Sequence, residues 1–336
     1  MKVFLTPAET GSGAWRDGFL SLQSLADCAE PSVHDVVSSA DEADIIIVSD
    51  LREENYFAGL RTNPILRRYP DKSFVCDRSD CPIGFVRGIY ASPPRTLDHG
   101  RYRTGFYLTA ASEWRNPFVS AEAAARVEKD LLFSFVGRNS ALVRSRLFAQ
   151  DFGRSDVLVI DASSHYDHWD HASPNRAVNQ RRYVEISARS RFVLCPRGTG
   201  SSSERLFEIL QMGLVPVILS DGWVPPRGPR WQDFSVAVSE SNVPHLVQIL
   251  EEYGEQWREM GQRARQAWLE WFSPPKQFNY IVDSCADIRR TAKISERQVR
   301  RMWPLLLGSR RARVFLDGMH GMVGRRLTRT PSTGTT

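Results

Sequence analysis

The sequence predicts an α/β protein with two Rossmann-like halves, and three observations support this fold class. Short apolar runs alternate with segments of helical spacing through the N-terminal third of the chain. A second alternation begins at Leu131–Val136. Within Tyr183–Asp221 an apolar strand, a turn-rich loop, a helix and a second apolar strand follow one another. That order is typical of a βαβ unit with parallel strands and a right-handed connection.

The N-terminal half begins with apolar runs, each bounded by polar or turn-forming residues. They predict strands at Lys2–Leu5, Ala43–Val48, Ser73–Cys76, Arg87–Ala91 and Arg103–Thr109. Helical spacing predicts helices at Trp15–Leu25 and at Asn55–Arg68, although Pro64 interrupts the second. Ala121–Lys129 has the composition of a solvated helix and is our candidate for the linker between the halves.

The C-terminal half continues the same alternation. The predicted strands are Leu131–Val136, Val157–Ile160, Arg191–Cys195, Leu214–Leu219 and Phe234–Val238. We predict a polar loop over Asp161–Asn179 and a helix over Glu204–Met212 that Gly213 ends. Further helices are predicted at Pro244–Tyr253, Glu255–Phe272 and Gln277–Arg301. The tryptophans at 257, 268 and 271 are interpreted as packing anchors.

Composition narrows the class of protein. The chain has 336 residues, which favours two domains, with 42% hydrophobic and 25% charged residues, as in soluble globular proteins. No run approaches the ~20 apolar residues of a membrane span, and the N-terminus does not resemble a signal peptide. The five scattered cysteines are interpreted as reduced and mostly buried, which favours a cytosolic protein.

The loop Pro196–Ser203 is the first candidate for a binding site. It follows a predicted strand and precedes a predicted helix, so its backbone N–H groups and the helix dipole suit an anion such as a diphosphate. An ordinary loop of small residues, with Arg197 and Arg205 as solvated charges, explains the spacing equally well. The loop has neither the Walker spacing nor G-x-G-x-x-G, so neither an NTPase nor a dehydrogenase follows.

Several motifs in order resemble the exostosin-like family of glycosyltransferases. They are Phe192–Gly198, Ser203 with Arg205–Glu208, and Gly213–Ile218, followed by Ser220–Pro225, Trp231–Val238 and Leu246–Leu250. The similarity covers roughly residues 130 to 272 well and the N-terminal part loosely. It implies a GT-B-like architecture, in which two Rossmann-like domains face each other across a cleft. The expected domains are an acceptor domain at 1–125, a nucleotide-sugar domain at 126–272, helices at 273–307 packing back on the first domain, and a basic tail at 308–336.

The resemblance also implies an inverting transfer of a sugar from a nucleotide donor to a glycan acceptor, and we predict a UDP-sugar as the donor. The chain contains no Asp-x-Asp motif for a metal, so we expect no metal and no other cofactor, with arginines and helix N-termini stabilising the diphosphate. Glu208 resembles the family's acidic residue that binds the donor ribose. The expected donor-binding residues are Arg138, Arg144, Arg197, Gly198, Ser202, Ser203, Arg205 and Glu208.

The catalytic base is predicted from the N-terminal half. Asp77 resembles in position an aspartate of many exostosin-like proteins, and Asp80 and Asp17 are the reserves. A carboxylate at a strand end also commonly caps a turn. Glu204, at the start of the helix after the loop, complements the helix dipole, but it also places negative charge beside the proposed diphosphate.

The segment His165–His171 (HYDHWDH) has three histidines and two aspartates. That density is found in metal sites, but we favour a loop that lines the acceptor site, with His165 and Trp169 as acceptor-binding residues.

The remaining expectations concern partners. Six arginines in residues 310–336 predict a solvated tail or, alternatively, a peripheral contact with anionic lipid or with a polyanionic glycan. We expect a cytoplasmic protein that does not bind nucleic acid. The rival functions are a GDP-sugar-dependent transferase and a catalytically silent subunit that binds a glycan or a nucleotide.

Overall fold

The computed structural model describes residues 1–301, except 10–15, 52–59, 61, 81, 83, 85, 94, 96–99 and 165–172. Its N-terminal half contains a six-stranded sheet in the order β2-β1-β3-β4-β5-β6. All its strand pairs are parallel. The strands are β1 Lys2–Pro7, β2 Asp35–Val36, β3 Ile45–Ser49, β4 Ser73–Asp77, β5 Gly88–Tyr90 and β6 Tyr102–Thr104.

The second sheet has five parallel strands in the order β11-β10-β9-β7-β8. They are β7 Leu131–Gly137, β8 Val157–Asp161, β9 Ser190–Pro196, β10 Val215–Leu219 and β11 Val236–Ala237. Two parallel sheets with helical connections confirm the predicted α/β fold of two Rossmann-like halves.

The described α-helices connect these strands. They are α1 Asp17–Asp27, α2 Pro64–Arg68, α3 Glu122–Ala125, α4 Leu142–Ala149, α5 Arg176–Ala188, α6 Glu204–Met212, α7 Leu246–Glu251, α8 Trp257–Ala267 and α9 Pro274–Thr291. None of the helices in this part of the chain is both long enough and apolar enough to cross a bilayer.

The central strand β9 contains a continuous apolar run, Phe192–Cys195, and its place in the sheet explains this pattern. Phe192 and Leu194 belong to one hydrophobic cluster, while Val193 and Cys195 belong to another. Since successive side chains of a strand point to opposite faces, helices must cover both faces of this sheet. An uninterrupted apolar run is therefore what a central parallel strand requires.

Helix α6 ends where the sequence predicts. Gly213 has a φ of 72°, in the left-handed region that glycine adopts without strain. The N–H of Leu214 then donates to the carbonyl of Ile209 at 3.1 Å, which closes the helix end. The chain can turn directly into β10, so the βαβ unit remains compact.

Helix α9 packs against the first sheet, although it follows the second in sequence. It buries an apolar face that includes Phe278 and Ile281. The hydroxyl of Tyr280 donates to the carbonyl of Thr104 at 2.9 Å, and Arg103 pairs with Asp287. These contacts connect helix α9 to strand β6 of the first sheet.

Several predicted boundaries were wrong. Helix α5 begins at Arg176, inside the predicted loop Asp161–Asn179, and the linker Ala121–Lys129 is helical only over Glu122–Ala125. Helix α9 begins at Pro274, because proline is well tolerated in the first turn of a helix, and it ends at Thr291.

The described cysteines and the three tryptophans agree with the predictions of burial. The described cysteines Cys28, Cys76, Cys195 and Cys285 are all free thiols, and only Cys28 is exposed. Trp257 and Trp268 are buried and Trp271 packs against the core, as predicted.

Candidate active site

A cavity of about 640 Å³ lies where the carboxyl ends of the two sheets meet. In the second sheet β7 pairs with β8 on one side and with β9 on the other, so the order in which strands are added to the sheet reverses between β7 and β9. Open α/β sheets bind ligands at such a switch point. The residues after β7 (Gly137–Ser140) and after β9 (Gly198, Thr199, Ser202 and Ser203) line this cavity.

Loop 197–203 contacts the first sheet directly. The main-chain N–H of Ser202 donates to the Ser92 hydroxyl at 3.0 Å, and the hydroxyls of Ser92 and Ser201 are 3.1 Å apart. A Cβ at Gly200 would lie 2.4 Å from the Ser92 hydroxyl oxygen and 2.7 Å from the main-chain oxygen of Asp80. Only glycine fits here, so the loop brings the two halves together.

The walls of the cavity carry more positive than negative groups. Five arginines line it, against three carboxylates. The arginines are Arg78, Arg138, Arg144, Arg182 and Arg205, and the carboxylates are Asp80, Glu204 and Glu208. A dense set of guanidinium groups in a partly enclosed space suits a phosphate-bearing ligand.

Arg144 is fixed by main-chain carbonyls. Its Nε donates to Arg197 at 2.9 Å, its Nη1 to Arg138 at 3.1 Å and its Nη2 to Pro196 at 3.1 Å. Burial, with a smaller contribution from the charge of Arg205, lowers the pKa of Arg144 to about 9. The side chain stays charged at neutral pH, and it connects the ends of β7 and β9 at the switch point.

Arg205 has hydrogen-bond donors that the protein does not satisfy. Its Nη2 donates to the carbonyl of Val136 at 2.6 Å. Its Nε and Nη1 are buried and have no hydrogen-bond partner among the residues that the structure describes. The guanidinium lies over the rings of Phe135 and Tyr183, at 4.6 and 5.5 Å from their centroids. Buried unsatisfied donors are costly, so this group is well suited to an anionic ligand.

Glu208 lies one helical turn after Glu204 and also lines the cavity. Its Oε2 accepts a hydrogen bond from the Tyr183 hydroxyl at 2.9 Å. Burial raises the pKa of Tyr183 well above its usual value, and the charge of Glu208 adds to the rise, so the tyrosine remains a donor. A carboxylate oriented in this way can accept hydrogen bonds from the hydroxyls of a ribose.

Arg197 was predicted to bind the diphosphate, but its side chain lies elsewhere. Its Nε donates to Glu240 Oε1 at 2.7 Å, and Arg197 is not among the residues that line the cavity. This pairing depends on the tertiary structure, because Glu240 comes from the segment after β11. Its carboxylate neutralises the guanidinium of Arg197. The predicted residues that the structure does bring together are Arg138, Arg144, Gly198, Ser202, Ser203, Arg205 and Glu208.

The candidate bases differ in position. Asp77 is buried, is not among the residues that line the cavity, and accepts a hydrogen bond from the N–H of Ser79 at 2.8 Å. That arrangement is a turn cap, the alternative that the sequence left open. Asp80 lines the cavity and accepts from the Tyr107 hydroxyl at 2.8 Å. Asp17 pairs with Arg78 at 2.6 Å.

The prediction from the sequence did not include all the residues that line this cavity. Arg182 and Tyr183 lie on α5, a helix that the sequence analysis did not predict, although the run Gln180–Ala188 has a helical composition. Arg78 and Tyr107 come from the N-terminal half and were not assigned a role.

His165 and Trp169 lie outside the described residues, as does the whole histidine-rich segment His165–His171. Within the described ranges, no group of three or more His, Cys, Asp or Glu residues could hold a metal ion.

Residues 101–253 match the family model for the exostosin GT47 domain. This region is therefore similar to the exostosin GT47 domain. It contains β7 to β11 and α6, and therefore the arginines of the C-terminal wall. The motifs quoted from Phe192 to Leu250 fall within the match, which confirms the resemblance.

Known relatives share parts of this domain. The chain is 48% identical over 71 residues to a probable glucuronoxylan glucuronosyltransferase of Arabidopsis thaliana, covering 20% of this chain and 16% of that protein. It is 29% identical over 138 residues to exostosin-1 of Drosophila melanogaster, covering 36% and 18%. The chain thus spans less than a fifth of the length of either relative.

Among solved structures, a glycosyltransferase from Rickettsia africae aligns over 87% of this chain and 99% of its own. The two share 10% identity with a TM-score of 0.41, a likeness too weak to establish a function.

Proposed function

We propose that this protein is a glycosyltransferase that moves a sugar from a nucleoside diphosphate donor to a glycan acceptor. The observation that carries the proposal is Arg205, whose buried Nε and Nη1 lack partners among the described residues at the wall of the cavity. A diphosphate supplies the oxygens that these donors need. The exostosin GT47 match over residues 101–253 supports sugar transfer as the reaction.

The proposed donor is a UDP-sugar. Its diphosphate lies between Arg205, Arg144 and Arg138, beside the N-terminus of α6, and its ribose lies against Glu208. A cavity of about 640 Å³ is in the ordinary range for a ligand of this size. The positive groups stabilise the charge that develops on the diphosphate as the glycosidic bond breaks, so we propose a metal-independent reaction.

The proposed reaction inverts the anomeric centre by a single displacement. The acceptor hydroxyl attacks from the side opposite the diphosphate, where the first sheet contributes Tyr107 and Asp80 to the cavity. Such a displacement needs one group to accept the hydroxyl proton and no covalent sugar–enzyme intermediate.

The test is a calorimetric titration with UDP and with GDP. Arg205→Ala should weaken UDP binding about 10- to 100-fold, the equivalent of about 1.5–3 kcal/mol for a lost charge-assisted contact. The matched control is Arg263→Ala, which removes an exposed arginine paired with Glu259 on the same half and should leave the affinity unchanged. Equal UDP affinities in the wild type, Arg205→Ala and Arg263→Ala would refute the diphosphate site. Tighter binding of GDP than of UDP would identify a GDP-sugar as the donor.

Activity is tested separately with UDP-glucose, UDP-xylose and UDP-glucuronic acid against a glycan array, with and without EDTA. Transfer from any of these donors supports the enzyme. Donor binding without transfer or hydrolysis identifies a silent binding subunit, and loss of transfer in EDTA overturns metal independence.

A further inference from the structure

A second, smaller cavity of about 200 Å³ adjoins the first. Four residues line both cavities: Tyr107, Asn116, Glu204 and Glu208. The rest of its wall is largely aromatic and apolar, with Phe106, Phe207, Trp268 and Phe272 as the large side chains. Its size and its mixture of aromatic rings with polar groups suit one sugar ring.

Gln277 supplies an unsatisfied acceptor in this smaller cavity. The residue is 4% exposed, and its Nε2 donates to the carbonyl of Phe272 at 2.6 Å. Its Oε1 is buried with no hydrogen-bond partner among the described residues. A buried orphan oxygen costs free energy unless a ligand satisfies it, and a sugar hydroxyl is a donor of the right kind.

Glu204 lies in the shared wall, at the first position of α6. The groups that face it come from three segments: Thr109 donates a hydrogen bond from the segment after β6, Arg78 and Asp80 follow β4, and Arg205 follows it on α6. Its carboxyl is therefore adjacent both to the proposed diphosphate and to the smaller cavity.

We propose that Glu204 is the catalytic base, and that the smaller cavity holds the acceptor sugar whose hydroxyl it deprotonates. This inference rests on the proposed glycosyl transfer. The acceptor oxygen forms the new bond to the anomeric carbon, and the bond from that carbon to the diphosphate oxygen breaks with its electron pair. The hydroxyl proton passes to Glu204, which becomes neutral as the neighbouring diphosphate gains negative charge.

The electrostatics of Glu204 agree with this role. Burial, with a smaller contribution from the charge of Asp80, raises its pKa to about 7, whereas the hydrogen bond from Thr109 and the charges of Arg78 and Arg205 oppose the rise. A base with a pKa near the working pH combines an adequate ionised fraction with a strong driving force for accepting the proton. Negative charge beside a diphosphate, which would otherwise oppose donor binding, is then removed during the reaction.

The test compares Glu204→Gln with the wild type, using the most active donor and oligosaccharide from the panel above, or water as acceptor. We expect kcat to fall about 100- to 10,000-fold while the Kd for UDP changes less than about threefold. In the wild type kcat should rise with pH through about 7, and Glu204→Gln should lose this dependence.

Asp80→Asn separates the two candidate bases. Because the charge of Asp80 raises the pKa of Glu204, this variant should shift the pH dependence of kcat to lower values, and its kcat should fall far less than that of Glu204→Gln. Loss of turnover in Asp80→Asn with retention in Glu204→Gln would overturn the proposal in favour of Asp80. If UDP binds to none of the proteins, the proposed function itself fails.

Gln277→Leu tests the placement of the acceptor. We expect a 5- to 50-fold higher KM for the oligosaccharide, an unchanged Kd for UDP and a folded protein by thermal denaturation, since one hydrogen bond of about 1–2 kcal/mol is lost. An unchanged KM would remove the acceptor from this cavity and leave the role of Glu204 to be decided by its own variant.

Discussion

The carboxyl edges of the two sheets both present arginines to the cavity, but they hold them differently. In the C-terminal half Arg144 and Arg205 donate to main-chain carbonyls. In the N-terminal half Arg78 pairs with Asp17 at 2.6 Å and with the buried Asp50 at 3.6 Å. Carbonyl oxygens orient a guanidinium without neutralising it, whereas carboxylates cancel its charge. The C-terminal edge can therefore bind an anion, and the N-terminal edge suits a neutral acceptor.

Among the variants that test this comparison, Arg144→Ala should cause the largest loss of UDP affinity and of stability. It removes a charge from the C-terminal edge and leaves three carbonyls without their donor. We expect UDP binding about 10- to 100-fold weaker and a free energy of unfolding lower by about 2–4 kcal/mol, measured by calorimetry and by denaturant titration. Arg78→Ala is the matched change in the other half, and its UDP affinity should stay within about threefold of the wild type. Equal losses in both variants would contradict the distinction between the edges.

Gly200→Ala tests the contact that joins the edges. The new Cβ would lie within 2.7 Å of both the Ser92 hydroxyl and the Asp80 carbonyl oxygen, so the halves must move apart. We expect a loss of stability of about 1–3 kcal/mol with reduced turnover. In Gly222→Ala the Cβ meets only Ser201 Cβ, at 3.9 Å, so that variant should melt like the wild type. Identical melting of the two variants would show that the edges do not pack as described.

Glu204→Gln should stabilise the protein in a pH-dependent way. The folded-state pKa of Glu204, about 7, lies above the unfolded value near 4.5, so the wild type loses stability as pH rises between these values. The glutamine variant does not titrate. The free energy of unfolding of the variant should therefore exceed that of the wild type by an amount that grows from pH 5 to pH 8, to at most about 3 kcal/mol. Thermal denaturation at both pH values measures it, and a constant difference would mean that Glu204 has an ordinary pKa.

Arg197→Ala should have the smallest effect on nucleotide binding. Its guanidinium is committed to Glu240, outside the cavity, so the UDP affinity should change less than about threefold while stability falls by about 1 kcal/mol. Calorimetry and thermal denaturation distinguish the two quantities. A loss of affinity like that of Arg205→Ala would restore Arg197 to the diphosphate site.

Much of the fold could be predicted because its signals are local. The run Phe192–Cys195 is apolar throughout, as a strand covered on both faces must be, and Gly213 ends α6 with a left-handed conformation. Helix α5 could not be predicted, because none of the residues of its first turn is buried and its buried apolar residues begin only at Val184. Asp77 and Arg197 illustrate a further limit. Both lie at the carboxyl end of a strand, but Asp77 bonds to Ser79 in its own turn, and Arg197 pairs with Glu240 from another segment.

The sequence by itself determined the two alternating α/β halves, the loop at the end of β9 and the type of charge around it. Strand patterns, turn residues and the exostosin-like motifs all depend on neighbours along the chain, which a sequence displays directly. Only the tertiary structure decided which charges remain available. It paired Arg197 with Glu240 and Arg78 with Asp17, left donors of Arg205 unsatisfied, and placed Glu204 between two cavities. Those outcomes depend on residues far apart in the sequence, so they emerge only when both sheets are packed together.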